Sequence, residues 1–361
     1  MLVPLSWLRD FAPIELDGRA LGDVFDDLGM VVEAIASVGE GLEGVVIALV
    51  KSIAPIAGAD KIRRVVVDAG GPAPVEVVCG AWNFAEGDVV ALATVGAVLP
   101  GGFEIAQRKM KGVVSNGMLC SGAELGLGED AAGIMVLPAP LGASAGEPFA
   151  AAMGIVRDTV YDLAIEANRP DAMCMAGVAR DAAARLHAPF AIQTPAPVPA
   201  ASAAPDVSVV VRDGDLCPRF TARVLTGVTV GTSPEWMARR LTLAGMRPIN
   251  SVVDASNYVM LELGQPTHPY DLDRLGAPGL LVRRATPGEV VTTLDGVERI
   301  LGVPGRGLGE TGEDCLICDA AGDPVGIGGI MGGSSSEISE STTRVLLEAA
   351  YFDPMVIART S

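Results

Sequence analysis

An α+β fold of several domains is what this chain predicts, and three observations predict it. The chain has 361 residues, half of them hydrophobic, which is enough to bury two or three cores. A β-rich block over residues 44–149 is broken at short intervals by glycine and proline, as strands joined by tight turns are. Segments of helical periodicity stand before and after that block.

The first 38 residues read as an apolar segment with a short helix, then a helix starting near Asp17 and stopped at Gly29, then a strand. In the block that follows, VVIALVKSI, IRRVVVDAG, VEVVCG, DVVALATVGAVLPGG and the 110–120 region give roughly five strands. Turns fall at Gly70-Gly71 and Pro100-Gly101-Gly102. The pattern fits a small closed barrel of the OB type, and other small barrels share it. Residues 152–193 return to a strand, a turn at Asn168-Arg169-Pro170-Asp171 and an alanine-rich helix over 173–186. His187, at that helix's C-terminal end, reads as a surface residue that complements the dipole. The Pro-, Ala- and Ser-rich stretch 194–206 reads as a linker. Beyond it come strands at VSVVVRD and CPRFTARVLTGVTV, and a helix at SPEWMARRLTLAG with Ser233 as N-cap and Pro234 in its first position. More strands follow around 280–301, with a turn at Asp295-Gly296.

Candidate chemistry concentrates at 247–273, RPINSVVDASNYVMLELGQPTHPYDLD. This stretch holds His268, one of two histidines in the chain, among Asn257, Glu262, Gln265, Asp271 and Asp273. Unpaired buried polar groups cost ~1–3 kcal/mol each, so a set this dense predicts a polar pocket. Gly264 and Pro266 stop the helix formed by the apolar residues between them, which puts His268 on a loop. The plain alternative is a histidine that packs or caps. Further on, GIGGIMGG at 326–333 is neither a P-loop nor a GxGxxG motif. It either lets backbone approach a ligand closely or simply turns the chain.

Composition excludes several classes. No apolar run approaches the ~18 residues of a membrane span, and MLVPLSWLRDF lacks the basic and apolar regions of a leader, so a cytoplasmic chain without membrane contact is expected. The six cysteines show no disulfide-framework spacing. Cys315 and Cys318 make one CxxC, but neither histidine stands at ligand spacing from it and no metal site is expected. Ser115 and Cys120 have no histidine in their region to serve as base, so a structural turn is expected there. A net charge of −18 argues against gripping nucleic acid over the whole surface. Lys51, Lys61, Arg63, Arg64, Arg108, Lys109 and Lys111 are then either a local patch for RNA backbone or a solvated barrel rim. Trp82 and Phe84 either stack a base or pack.

Several of these stretches carry a family resemblance. NYVMLELGQPTHPYDLD at 257–273 and LLEAAYFDP at 346–354 resemble the two signatures of the editing domain in phenylalanyl-tRNA synthetase beta subunits of bacterial type. ADKIRRVVVDAG, VVCGAWN, VGAVLPGG and KMKGVVSNGMLCSGAELGL resemble the same family's tRNA-binding OB domain, and LSWLRDF and ANRPDAMCMAGVARDAAA its split N-terminal domain. The resemblance implies an α+β multidomain chain: residues 1–39 plus 151–193 as a split domain, 40–150 as an inserted OB barrel, 194–206 as linker and 207–361 as an editing domain. It implies that Glu348 reads the hydroxyl of a mischarged tyrosine, that His268 and Asn257 stand near the ester and its attacking water, and that Ser256 replaces the family's threonine. It implies that the segment with Gly328, Gly329 and Gly332 lines the pocket. Whether His268 is a general base or only positions water stays open.

For the whole enzyme the resemblance implies ATP, Mg²⁺, tRNA-Phe and an alpha subunit in an alpha2beta2 heterotetramer. The family continues past Ser361, so a partial chain is expected. A second site is chemically motivated, because an apolar phenylalanine pocket rejects a hydroxyl-bearing analogue by only ~10²-fold. The alternatives are a free-standing aminoacyl-tRNA deacylase and a non-catalytic RNA-binding or assembly module, and the presence of both His268 and Glu348 counts against the second.

Overall fold

The computed structural model describes residues 1–127, 130–137, 142–196, 206–303 and 313–361. Most of the expected linker, 197–205, lies outside the described residues. The chain forms two compact units, Ile35–Val160 and Met1–Ala34 with Tyr161–Ser361.

The first unit is built on a five-stranded antiparallel sheet in the order Gly117–Leu119, Val89–Thr94, Val45–Ile56, Ala59–Asp68, Val75–Cys79. Val, Ile and Leu on these strands feed both faces. Ala48, Val50, Val65, Val67, Val77, Val90 and Leu92 form one core, while Val45, Ile47, Ala91 and Ala93 join Leu125 and Phe149 in another. The two edge strands come together through Ser115, whose Oγ accepts from the Val78 amide at 2.9 Å, and through the Asn116 amide on the Glu76 carbonyl at 2.8 Å. A sheet whose edges meet in this way is a nearly closed barrel. Ser115 is thereby a structural link, and burial pushes the Cys120 thiol up to about 12; the segment expected to turn is instead extended, with Ser115 closing the strand Val113–Ser115 and Gly117–Leu119 forming the next. Phe84 is buried in the barrel core and is not available to stack a base, whereas Trp82 is exposed.

The second unit holds Leu2–Pro4 and, each continuing into the first unit, Asp158–Ala164 and Val31–Val38, which make a three-stranded sheet in that order. The Gly18–Asp27 helix ends before Gly29, whose φ of +76° needs glycine. The Met175–Leu186 helix ends at His187 in the left-handed conformation. Segments expected to form a separate N-terminal domain share this body with the C-terminal region. Trp7 stacks on Tyr258 at 4.5 Å, and Arg240 pairs with Asp10 at 2.6 Å.

Two further sheets carry the C-terminal region. One runs Ser208–Val211, Gly279–Arg284, Cys315–Asp319, Pro324–Ile327, Met331–Gly332; the other runs Arg219–Thr226, Arg344–Tyr351, Thr267–Asp271. Leu280, Val282, Cys315, Ile317 and Val325 of the first meet Tyr270, Leu346, Phe220, Ala222 and Val224 of the second in one core. Ser233 differs from its expected role: the Glu235–Leu243 helix has Pro234 at its N-cap position, and the Ser233 hydroxyl donates to the buried Asp254 carboxylate instead. That carboxylate also takes the Ile249 amide, and such doubly bonded burial outweighs a cap.

Candidate functional site

The Ser251–Leu263 helix begins at Asn250, whose side chain accepts from the Val252 and Val253 amides, and stops at Gly264 with φ +74°. His268 then lies in the strand Thr267–Asp271, not in the loop expected for it. Pairing with Arg344–Tyr351 overrides the Gly and Pro signals, since five consecutive residues find a ladder partner there. The register sets His268 directly opposite Glu348.

Strand alternation decides what the site contains. His268, Tyr270 and Glu348 share the face turned to the core; the His268 and Tyr270 rings meet edge to face at 4.5 Å. The Tyr270 hydroxyl donates to Glu348 Oε2 at 2.5 Å. Glu348 is 6% exposed, and burial pushes its carboxyl up to about 7 although the Tyr270 bond pulls the other way. Burial alone lowers the His268 imidazole to about 4, so the ring is neutral at neutral pH. Cys217 and Cys315 stand near enough to feel the Glu348 charge, and burial holds their thiols up at about 11 and about 12. A neutral imidazole beside a carboxyl with no cation on it among the described residues is poised to accept hydrogen bonds and to discriminate a donor.

Gly332 belongs to this group. A Cβ on it would stand 2.2 Å from His268 Cε1 and 2.6 Å from Nε2, so only glycine lets this backbone lie along the imidazole edge. Gly328 and Gly329 serve other neighbours: a Cβ there would meet Phe352 and Cys315, or Ile357. Ser256 bonds Thr267, both carbonyl and hydroxyl at 2.6 Å. Thr267 alternates with His268, so Ser256 braces the strand from the opposite face. Asn257 follows it on the helix, half-buried, and no hydrogen bond joins either residue to His268 or Glu348 among the described residues.

The expected single polar pocket is thus dispersed. Asp271 takes the Thr342 hydroxyl at 2.6 Å, Asp273 pairs with Arg344 at 2.7 Å and Gln265 donates to the Pro266 carbonyl. Glu262 stands near Tyr258 and Arg240. Tyr270 was not singled out by sequence, although its place two residues after His268 is the period-two signal that finds it once the stretch is read as a strand.

On the barrel, the seven basic residues divide. Arg64 is bonded to Glu76 and Lys51 stands 3.9 Å from Asp68. Arg63 donates to the Ala81 carbonyl at 2.7 Å and lies over the rings of Trp82 and Phe84 at 4.4 and 4.8 Å. Lys61, Lys109, Lys111 and Arg108 are exposed and have no ion-pair partner among the described residues; Arg108 lies over the exposed Phe103 ring at 5.8 Å. Met110 and Val113, from the hairpin Arg108–Met110 and Val113–Ser115, pack with Ile56, Ala59 and Ile62, so these four cations share one end of the barrel. A cavity of about 690 Å³ opens there, lined by Phe103, Arg108, Met110, Glu104 and Glu124 among others.

Comparison with known proteins places both regions. Residues 45–146 match the family model described as a putative tRNA binding domain, and 216–361 match the B3/4 domain. Over all of this chain, the phenylalanine–tRNA ligase beta subunit of Geobacter sulfurreducens is 44% identical, that of Geobacter metallireducens 43% and that of Anaeromyxobacter dehalogenans 44%. The chain spans 43%, 43% and 44% of their respective lengths. It belongs to the phenylalanine–tRNA ligase beta-subunit family.

Proposed function

We propose that this chain is the tRNA-contacting and editing part of a phenylalanine–tRNA ligase beta subunit, and that the His268–Glu348 site hydrolyses Tyr-tRNA-Phe. One observation carries the reading: a carboxylate that is 6% exposed and has no cation partner among the described residues stands across a strand pair from a half-buried imidazole. Such a carboxylate recognises a buried phenol strongly, because a phenylalanyl ester leaves it without that donor. His268, neutral and with its basicity reduced by burial, accepts a hydrogen bond from the attacking water and orients it toward the ester. A base so far below neutral pH takes a proton weakly, which favours positioning over full general-base catalysis.

The barrel, as an OB-type module, holds tRNA backbone through Lys61, Arg108, Lys109 and Lys111. Charging tRNA with phenylalanine, with ATP and Mg²⁺, falls to the alpha subunit and to the rest of the assembly, an alpha2beta2 heterotetramer in the cytoplasm. Among the described residues no group of three or more His, Cys, Asp or Glu is placed to hold a metal ion. No described helix is long and apolar enough to cross a membrane.

The test is deacylation of Tyr-tRNA-Phe and Phe-tRNA-Phe by wild type, His268→Ala and Glu348→Ala. His268→Ala is expected to slow both esters by about 10²-fold, near the lower end for a proton-transfer or water-orienting group. Glu348→Ala is expected to remove the tyrosyl preference selectively. A Glu348→Ala enzyme that keeps full preference overturns the assignment.

A further inference from the structure

The phenol of Tyr270 already makes, inside the protein, the bond that the editing reading assigns to a substrate tyrosine. Its hydroxyl donates to Glu348 Oε2 at 2.5 Å, and the residue is 1% exposed. Glu348 Oε1 accepts no hydrogen bond among the described residues. A carboxylate accepts at both oxygens, so one is used and one is open. We propose that Tyr270 is a positioning residue for substrate discrimination: it tethers one carboxylate oxygen of Glu348 so that the other is presented to the phenol of a tyrosyl ester. This rests on the editing reading given above.

A carboxylate held by one oxygen cannot swing to satisfy itself elsewhere. Its second oxygen then pays the full desolvation penalty when phenylalanine arrives, which sharpens selectivity. The strand fixes the donor as firmly as the acceptor, because Tyr270 stands opposite Leu346, two residues before Glu348. The tether also favours the ionised carboxylate, and nothing else among the described residues does so. Among the described residues, the titratable groups facing Glu348 are His268 and Tyr270 from the neighbouring strand, Cys217 from the segment before Arg219–Thr226, and Cys315 from the opposite sheet; Ala222 is its partner on the remaining side. All four are uncharged at neutral pH. Removing the Tyr270 hydroxyl therefore leaves the carboxyl harder to ionise as well as less well aimed.

The experiment uses Tyr270→Phe in the full-length subunit assembled with its partner, since this change removes one oxygen and keeps the ring. Two readouts are taken from pH 6 to 9: the ratio of kcat/KM for Tyr-tRNA-Phe over Phe-tRNA-Phe, and the Glu348 carboxyl titration by difference infrared, assigned with Glu348→Gln. The variant is expected to hydrolyse the phenylalanyl ester within about threefold of wild type. At neutral pH its tyrosyl preference is expected to fall ~10-fold or more, the weight of one hydrogen bond to a charged group. Its carboxyl midpoint is expected to move up, so that part of the preference returns above pH 8. A purely structural role slows both esters together and leaves ratio and midpoint in place; that result overturns the proposal. If wild type hydrolyses neither ester, the editing reading falls and takes this proposal with it, whereas an unchanged ratio in an active enzyme removes Tyr270 alone.

Discussion

The barrel and the paired sheets of the C-terminal region use ionisable groups in opposite ways. On the barrel the basic side chains are at the surface, and two of the seven stand beside a carboxylate partner, in a chain of net charge −18. Between the sheets, buried Glu348 and half-buried His268 have no counter-charge among the described residues, and desolvation moves both from their ordinary values in opposite directions. Surface charge acts at range and is screened by salt; buried charge acts by contact and is governed by pH. Each region is therefore to be probed with the variable to which the other is indifferent.

The sharpest break between the two comes from Gly332→Ala. Its new Cβ would stand 2.2 Å from His268 Cε1, so the imidazole must turn away. Misplacing a catalytic group by about an ångström costs ~10²-fold, and deacylation is expected to fall by at least that much while tRNA binding is unchanged. Equal loss of both functions would mean the sites are not independent. Next in size is salt. Four cations without ion-pair partners among the described residues at one barrel end give a slope near −0.7 to −0.9 per contact, so tRNA binding is expected to weaken by about 10²-fold between ~50 and ~200 mM salt. Rates on bound ester are expected to stay within twofold over that range. Binding that ignores salt would remove the barrel from the interface.

Stability against pH gives the complementary test. The raised Glu348 carboxyl costs stability as pH climbs from its ordinary 4.5 to about 7, while the lowered imidazole adds stability as pH climbs from about 4 to its ordinary 6.5. Over the shared interval these slopes offset each other. Glu348→Gln keeps an acceptor for Tyr270 and removes one of them. Relative to wild type it is expected to be of similar stability at pH 4 and about 3 kcal/mol more stable at pH 8. Urea denaturation at the two values measures this, and equal differences at both would show that Glu348 is not desolvated as its burial implies.

These contrasts also explain what the sequence could and could not announce. Strands of the barrel were legible from Val, Ile and turn glycines, because β-branched residues on a half-buried pleat carry a local signal. The end of the Ser251–Leu263 helix was equally legible at Gly264, whereas its start at the Asn250 cap was not singled out although the residue type carries that signal. His268 was legible as a residue and not as a position: Gly264 and Pro266 predict a loop, and the partner that makes the segment a strand is about eighty residues away in the sequence. The same distance hid Tyr270, whose meaning depends on a carboxylate at Glu348. Nor could spacing reveal that Arg64 is already paired, because Glu76 reaches it across a ladder.

That last pair yields the smallest expected effect and the finest test of how the barrel works. Arg64 Nε donates to Glu76 Oε2 at 2.7 Å, both groups at the surface. Exposed ion pairs contribute ~0.2–1 kcal/mol, so Arg64→Ala is expected to lower the melting temperature by only a few degrees. Its effect on tRNA affinity is expected to be under about twofold, since the guanidinium already spends its charge on a carboxylate that no longer needs a counter-ion from solution. Lys109→Ala removes a cation with no such partner and is expected to lower affinity uniformly across tRNA sequences and to reduce the salt slope by about one. Filter binding at three salt concentrations separates the two variants. If Arg64→Ala changes the slope as much as Lys109→Ala does, the Glu76 pair opens on binding, and the division of the barrel's cations into committed and free ones is wrong.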